Sequence, residues 1–80
     1  MWRDKLILKE GETLEHQRSW ESGFMQEQDN DLWHVIGPAG KVGEVKVEDH
    51  TSVKGFRRTV RVVQRDAEGK VIVDTSYNPQ

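Results

Sequence analysis

Apolar and polar residues alternate with a period of two through the second half of this chain. The alternation is cut by two turns that end alike, Ile36-Gly37-Pro38-Ala39-Gly40-Lys41-Val42 and Gln64-Arg65-Asp66-Ala67-Glu68-Gly69-Lys70-Val71. Such a pattern around short turns predicts antiparallel hairpins with one buried face. In the first turn, Pro38 suits the second position of a type I turn and Gly40 suits the left-handed residue that closes a bulged loop. The resulting register sets Ile36 against Val42, Val35 against Gly43 and Trp33 against Val45. It gathers Trp33, Val35, Val45 and Val47 on one face and His34, Glu44 and Lys46 on the other.

The second turn admits two registers. Pairing Asp66 with Gly69 collects Val60, Val62, Val71 and Val73 on one face and sets Arg61 against Asp74 on the other. Pairing Asp66 with Lys70 mixes charge and apolar residues on both faces, so the first register is preferred.

Elsewhere the pattern is less regular. Lys5-Leu6-Ile7-Leu8-Lys9 is an apolar run bracketed by charge, too short for a helix, and it predicts a strand that buries Leu6 and Leu8, or Ile7. Between Thr13 and Asp31, Leu14, Trp20, Phe24 and Met25 follow neither helical nor strand periodicity. A helix from Thr13 to about Ser22 capped by Thr13 competes with irregular strands and a bulge at Gly23, and the β character of the rest favours strands. Asp29-Asn30-Asp31 tolerates turn geometry and predicts a first hairpin between 24–28 and 32–36. The polar stretch Glu48 to Gly55 predicts a loop, and Phe56 to Gln64 a further strand, with Asn78-Pro79-Gln80 as a tail. The expected fold is all-β, with at most one short N-terminal helix. It is a single domain over residues 1–80, an antiparallel meander of five to six strands forming a small open barrel or twisted sheet.

Composition narrows the function classes. The 80 residues include no cysteine, which excludes disulfides, thiol catalysis and cysteine-based metal centres. The absence of any long apolar run predicts an intracellular, cytoplasmic protein without a membrane partner. A chain this short buries about 60–65% of its unfolded surface. Trp2, Trp20, Trp33, Phe24, Phe56 and Tyr77 are therefore expected to supply much of the core. A homodimer that shares a sheet edge or a Trp-lined face is one way to relieve the shortage, and a monomer is the other.

The net charge is -2, so charge arguments must be local. Lys54 to Arg65 carries Lys54, Arg57, Arg58, Arg61 and Arg65 with no acid. On a strand, Arg57, Arg61 and Arg65 share a face at steps of about 13 Å. With Lys54, Phe56 and Arg58, that row is the candidate surface for a protein partner or, as the alternative, for nucleic acid. Solvated arginines paired with Asp74 and its neighbours are the plainer outcome. Residues 1–31 hold Asp4, Glu10, Glu12, Glu15, Glu21, Glu27, Asp29 and Asp31, a surplus of acids for which ordinary solubilising charge is the plainer account and an acidic inhibitor of a nucleic-acid-processing complex of phage or plasmid type the alternative.

Catalytic and metal chemistry finds little footing. Glu48-Asp49-His50 brings carboxylate and imidazole together, but His16 and His34 are the only other imidazoles and stand at unrelated spacings, so no metal or other cofactor is expected. Asp49 is read as a turn residue with His50 exposed. Ser19, Ser22, Ser52 and Ser76 have no base at a recognisable nucleophile spacing, and so small a β domain leaves little room for a pocket of several hundred cubic ångströms. The sequence therefore predicts a non-enzymatic protein-interaction or adaptor module.

Overall fold

The structure, a computed structural model, describes residues 2–24, 27–52 and 57–79. Five strands, β1 (Thr13–Ser22), β2 (Gln28–Gly37), β3 (Gly40–Thr51), β4 (Arg58–Asp66) and β5 (Val71–Tyr77), form one antiparallel sheet in the order β1-β2-β3-β4-β5. Each strand pairs with its sequence neighbours, and the sheet stays open rather than closing into a barrel. A 3-10 turn (Trp2–Lys5) precedes it and lies on one face.

The covered face holds the core. Because paired residues point to the same side, the register places Val35, Val45, Val47, Val60 and Val62 together, and these five are the buried apolar side chains among the described residues. Trp2, Leu6, Leu14, Trp33, Val42 and Tyr77 pack around them while remaining half-buried. Valine suits the middle of this sheet, since its stiff branched side chain packs well on a pleated surface. The expectation that aromatics would form the core is thus corrected: Trp2, Trp33 and Tyr77 rim it, Trp20 lies on the opposite face, Phe24 is 96% exposed, and Phe56 lies outside the described residues.

Three bulges set the registers. The Gly37-Pro38-Ala39-Gly40 turn pairs Gly37 with Gly40, which adopts φ +123°. Ile36 pairs with Lys41 rather than Val42; Val42 is the extra residue, and the expected Val35–Gly43 and Trp33–Val45 pairs follow. At the second turn the preferred register is overturned. The Asp66 carboxylate accepts from the backbone N–H groups of Glu68 and Lys70, both at 2.9 Å, and the Asp66 N–H donates to the Lys70 carbonyl at 2.9 Å. Those bonds draw Lys70 into the turn and pair Arg65 with Val71. One extra residue, Ile72, then restores the phase, so that Gln64 meets Val73 and Val62 meets Thr75. Charge stays out of the core by a bulge instead of by a tighter turn, and Val71 is left exposed.

The remaining differences lie in the less regular segments. Residues 5–9 form no strand. Leu6 follows the 3-10 turn, and the Ile7 backbone is held by Gln64, whose Oε1 accepts from Ile7 N–H and whose Nε2 donates to Ile7 C=O, both at 2.8 Å. The first hairpin does not turn at Asp29-Asn30-Asp31, which is internal to β2; the chain reverses after Ser22, with Gly23 at φ +97°. The Thr13–Ser22 stretch is a strand, with Gln17 as its bulge and no helix. The loop expected from Glu48 begins later, because β3 runs to Thr51, and the strand expected from Phe56 is β4, Arg58–Asp66.

Candidate functional site

The two faces of the sheet distribute charge differently. On the uncovered face, Glu48 pairs across to Arg61, and Arg61 donates to the Asp74 carboxylate through Nε at 3.0 Å and Nη2 at 2.9 Å. The hydrogen bond to Asp74, then the Asp74 and Glu48 charges, raise the Arg61 pKa above its ordinary value. Arg61 in return holds the Asp74 carboxyl below the usual range. Glu48 also accepts from Gln28, which donates to the buried Asn30 Oδ1 at 2.7 Å, and Asn30 Nδ2 donates to Ser22 Oγ at 2.9 Å. Trp20 lies beside this network, with the Arg18 guanidinium 4.7 Å and the Lys46 ammonium 5.7 Å from its ring centre.

Of the expected arginine row, Arg61 and Arg65 share the uncovered face of β4. Lys54 and Phe56 lie outside the described residues. Arg57 precedes β4, and its N–H donates to Ser52 Oγ at 3.2 Å. Arg58 sits on the core side, bonded to Asp49 through Nε at 2.8 Å, and that bond together with the Asp49 charge raises its pKa. Arg65 donates to the Gly69 carbonyl at 3.0 Å. The guanidinium groups of Arg58, Arg61 and Arg65 are thereby engaged within the chain. Asp49 is a strand residue paired with Arg58, not a turn residue, and His50 is exposed as expected.

A different site emerges on the covered face, beyond the valine core. An open groove of about 880 Å³ crosses the strands there, walled by Trp2 and Tyr77 and floored by Val47 and Val60, a larger concavity than so short a chain led us to expect. Its polar end is a row of carboxylates at one level of three adjacent strands. Glu21 of β1 stands directly opposite Asp29 of β2, and Asp29 directly opposite Asp49 of β3. Like charges in direct cross-strand opposition destabilise a sheet. Arg58 offsets Asp49, but Glu21 and Asp29 have no salt bridge or side-chain hydrogen bond among the described residues.

Asp31 is the next acid along β2 and also lines the groove. It accepts a short hydrogen bond from Ser19, and His16 Nε2 lies 3.1 Å from its Oδ1 and 3.0 Å from Ser19 Oγ. Serine, histidine and aspartate thus meet, a contact the sequence spacing concealed because Gln17 shifts the phase of β1 between them. They do not form a proton relay. Serine and carboxylate both approach the same imidazole nitrogen, whereas a relay needs one partner on each nitrogen. Among the described residues no three His, Asp or Glu side chains are arranged to hold a metal ion. The aromatic walls already carry cations of the chain, with Arg3 5.2 Å from the Trp2 ring centre and Lys5 5.4 Å from that of Tyr77, so what the groove offers an incoming cation is its unneutralised carboxylates.

Comparison of the chain with protein-family models, curated proteins and solved structures finds no match.

Proposed function

We propose that the chain is a non-enzymatic protein-interaction module that takes a basic segment of a partner into the groove on the covered face. The observation that carries this reading is the Glu21–Asp29–Asp49 row. Two of its three carboxylates, Glu21 and Asp29, have no ion pair among the described residues and stand directly opposite one another, an arrangement that costs stability unless something cationic lies across it. Arginine or lysine side chains fit the row, and their apolar stems fit the adjacent Trp2 and Tyr77 surface. A cytoplasmic nucleic-acid-processing protein, basic where it holds phosphate, is one class of partner with this chemistry. Direct nucleic-acid binding through β4 is the weaker reading, because Arg58 and Arg61 already hold carboxylates.

The test is a titration with a labelled octa-arginine peptide, with octa-glutamate and a single-stranded oligonucleotide as controls. The peptide is expected to bind at low salt and to weaken as salt rises, whereas the controls do not bind. The double variant Glu21→Gln/Asp29→Asn is expected to lose about tenfold in affinity while unfolding at higher temperature, because removing each like-charge opposition returns roughly 0.2–1 kcal/mol. Binding that survives the double substitution, or a preference for the oligonucleotide, would remove the groove as the site.

A further inference from the structure

The open sheet has two edge strands, β1 and β5, and they are built differently. β1 carries devices that keep an edge from pairing. Its ladder is interrupted at Gln17, the Gln17 side chain donates to the Glu15 carbonyl at 3.1 Å, and Glu15, Arg18 and Glu21 line it with charge. β5 reads Val-Ile-Val-Asp-Thr-Ser-Tyr, rich in residues that favour strands. Its one charge, Asp74, is met inside the chain by Arg61. Val71 and Ile72 are exposed there, and Ile7 and Leu8 are exposed beside the Gln64 clamp, on the strand next to β5. Of the five large apolar side chains exposed among the described residues, only Phe24 lies elsewhere.

We infer that β5 pairs antiparallel with β5 of a second copy of this chain, joining two five-stranded sheets into one. A two-fold interface must be self-complementary, so the strand has to avoid meeting its own charge. With the axis at Thr75, Asp74 stands opposite Ser76 and Val73 opposite Tyr77. The carboxylate then faces a hydroxyl donor, and the Val73–Tyr77 pairs carry the covered face across the seam. The pairing also satisfies the backbone groups that β5 presents at its free edge. Tyr77 belongs to both the seam and the groove wall, but the carboxylates on which the groove reading rests, Glu21 and Asp29, lie on β1 and β2, away from the β5 edge.

The chain contains no cysteine, so Ser76→Cys and Glu15→Cys each create one spin-label site, one per edge strand. Sedimentation equilibrium is expected to show a concentration-dependent dimer. Labels at 76 should couple strongly across it and labels at 15 much more weakly. Thr75→Lys, which sets two ammonium groups against each other at the axis, is expected to weaken the dimer about tenfold or more. A monomer at every concentration overturns the pairing, as does a dimer whose labels couple at 15 and not at 76. If Thr75→Lys unfolds the chain, the coupling measured with threonine retained at 75 decides the question alone.

Discussion

A single methyl group at Gly43 would meet the backbone carbonyl oxygen of Arg65 at 2.5 Å, closer than any real Cβ contact. Gly43 is buried, pairs with Asp66 across β3 and β4, and its obstacle is strand backbone rather than a flexible side-chain tip. Gly43→Ala is therefore expected to destabilise the fold by about 1–3 kcal/mol, the usual range for overpacking. Urea denaturation measures it, and an unchanged midpoint would mean that β3 and β4 part easily at this point. Val35, the partner of Gly43 on β2, was legible as a core residue from the period-two pattern. The tight approach at Gly43 was not, because pattern shows which face a residue takes but not how near the next backbone comes. Aromatic residues misled for a related reason. Size suggests burial, yet the centre of this sheet accommodates valine, and Trp2, Trp33 and Tyr77 are displaced to its margins.

Bulges explain where the elements were legible and where they were not. The hairpin of β2 and β3 follows from its turn, with one residue of difference at Val42. In β1 the extra Gln17 changes the parity of the strand, so the covered face carries Leu14, His16, Ser19 and Glu21, a spacing that matches no regular period. Asp29-Asn30-Asp31 reads as a turn because short Asx side chains tolerate turn geometry, but on β2 Asp29 and Asp31 continue the face of Trp33 and Val35 into the groove. The candidate site was missed for the same reason: its acids come from three strands and align only once the registers are known. The N-terminal segment depends even more on tertiary structure, since the side chain of Gln64, 3% exposed, occupies both backbone groups of Ile7. Gln64→Ala is expected to cost about 1–3 kcal/mol, because it leaves those groups and a cavity behind. Amide exchange at Ile7 should accelerate by more than exchange within β3, and equal acceleration at both would mean that the clamp supports the whole sheet rather than this segment.

At the scale of the molecule, the chain is long and thin, 44 × 21 × 18 Å, and its sheet has a small core on one face and an ion-pair network on the other. Acid should loosen it from the networked face. The hydrogen bond from Arg61, followed by the charges of Arg61 and Arg65, keeps the Asp74 carboxyl below its ordinary value despite some opposing desolvation. A carboxyl with a lower pKa in the folded chain than in the unfolded one binds its proton more readily once unfolded. Its contribution is thus fully present above the unfolded value, about 3.9, and is lost as pH falls through the lower folded value. The raised pKa values of Arg58 and Arg61 add nothing to this dependence, because both guanidinium groups stay charged throughout. Wild type should therefore exceed Asp74→Asn in stability at pH 6 by a small margin, as an exposed pair allows, and that margin should close towards pH 3. Urea midpoints of the two proteins at both pH values measure it. A margin that persists unchanged at pH 3 would mean that Asp74 acts through packing or an uncharged hydrogen bond, and that the acid sensitivity of the fold originates in other carboxylates.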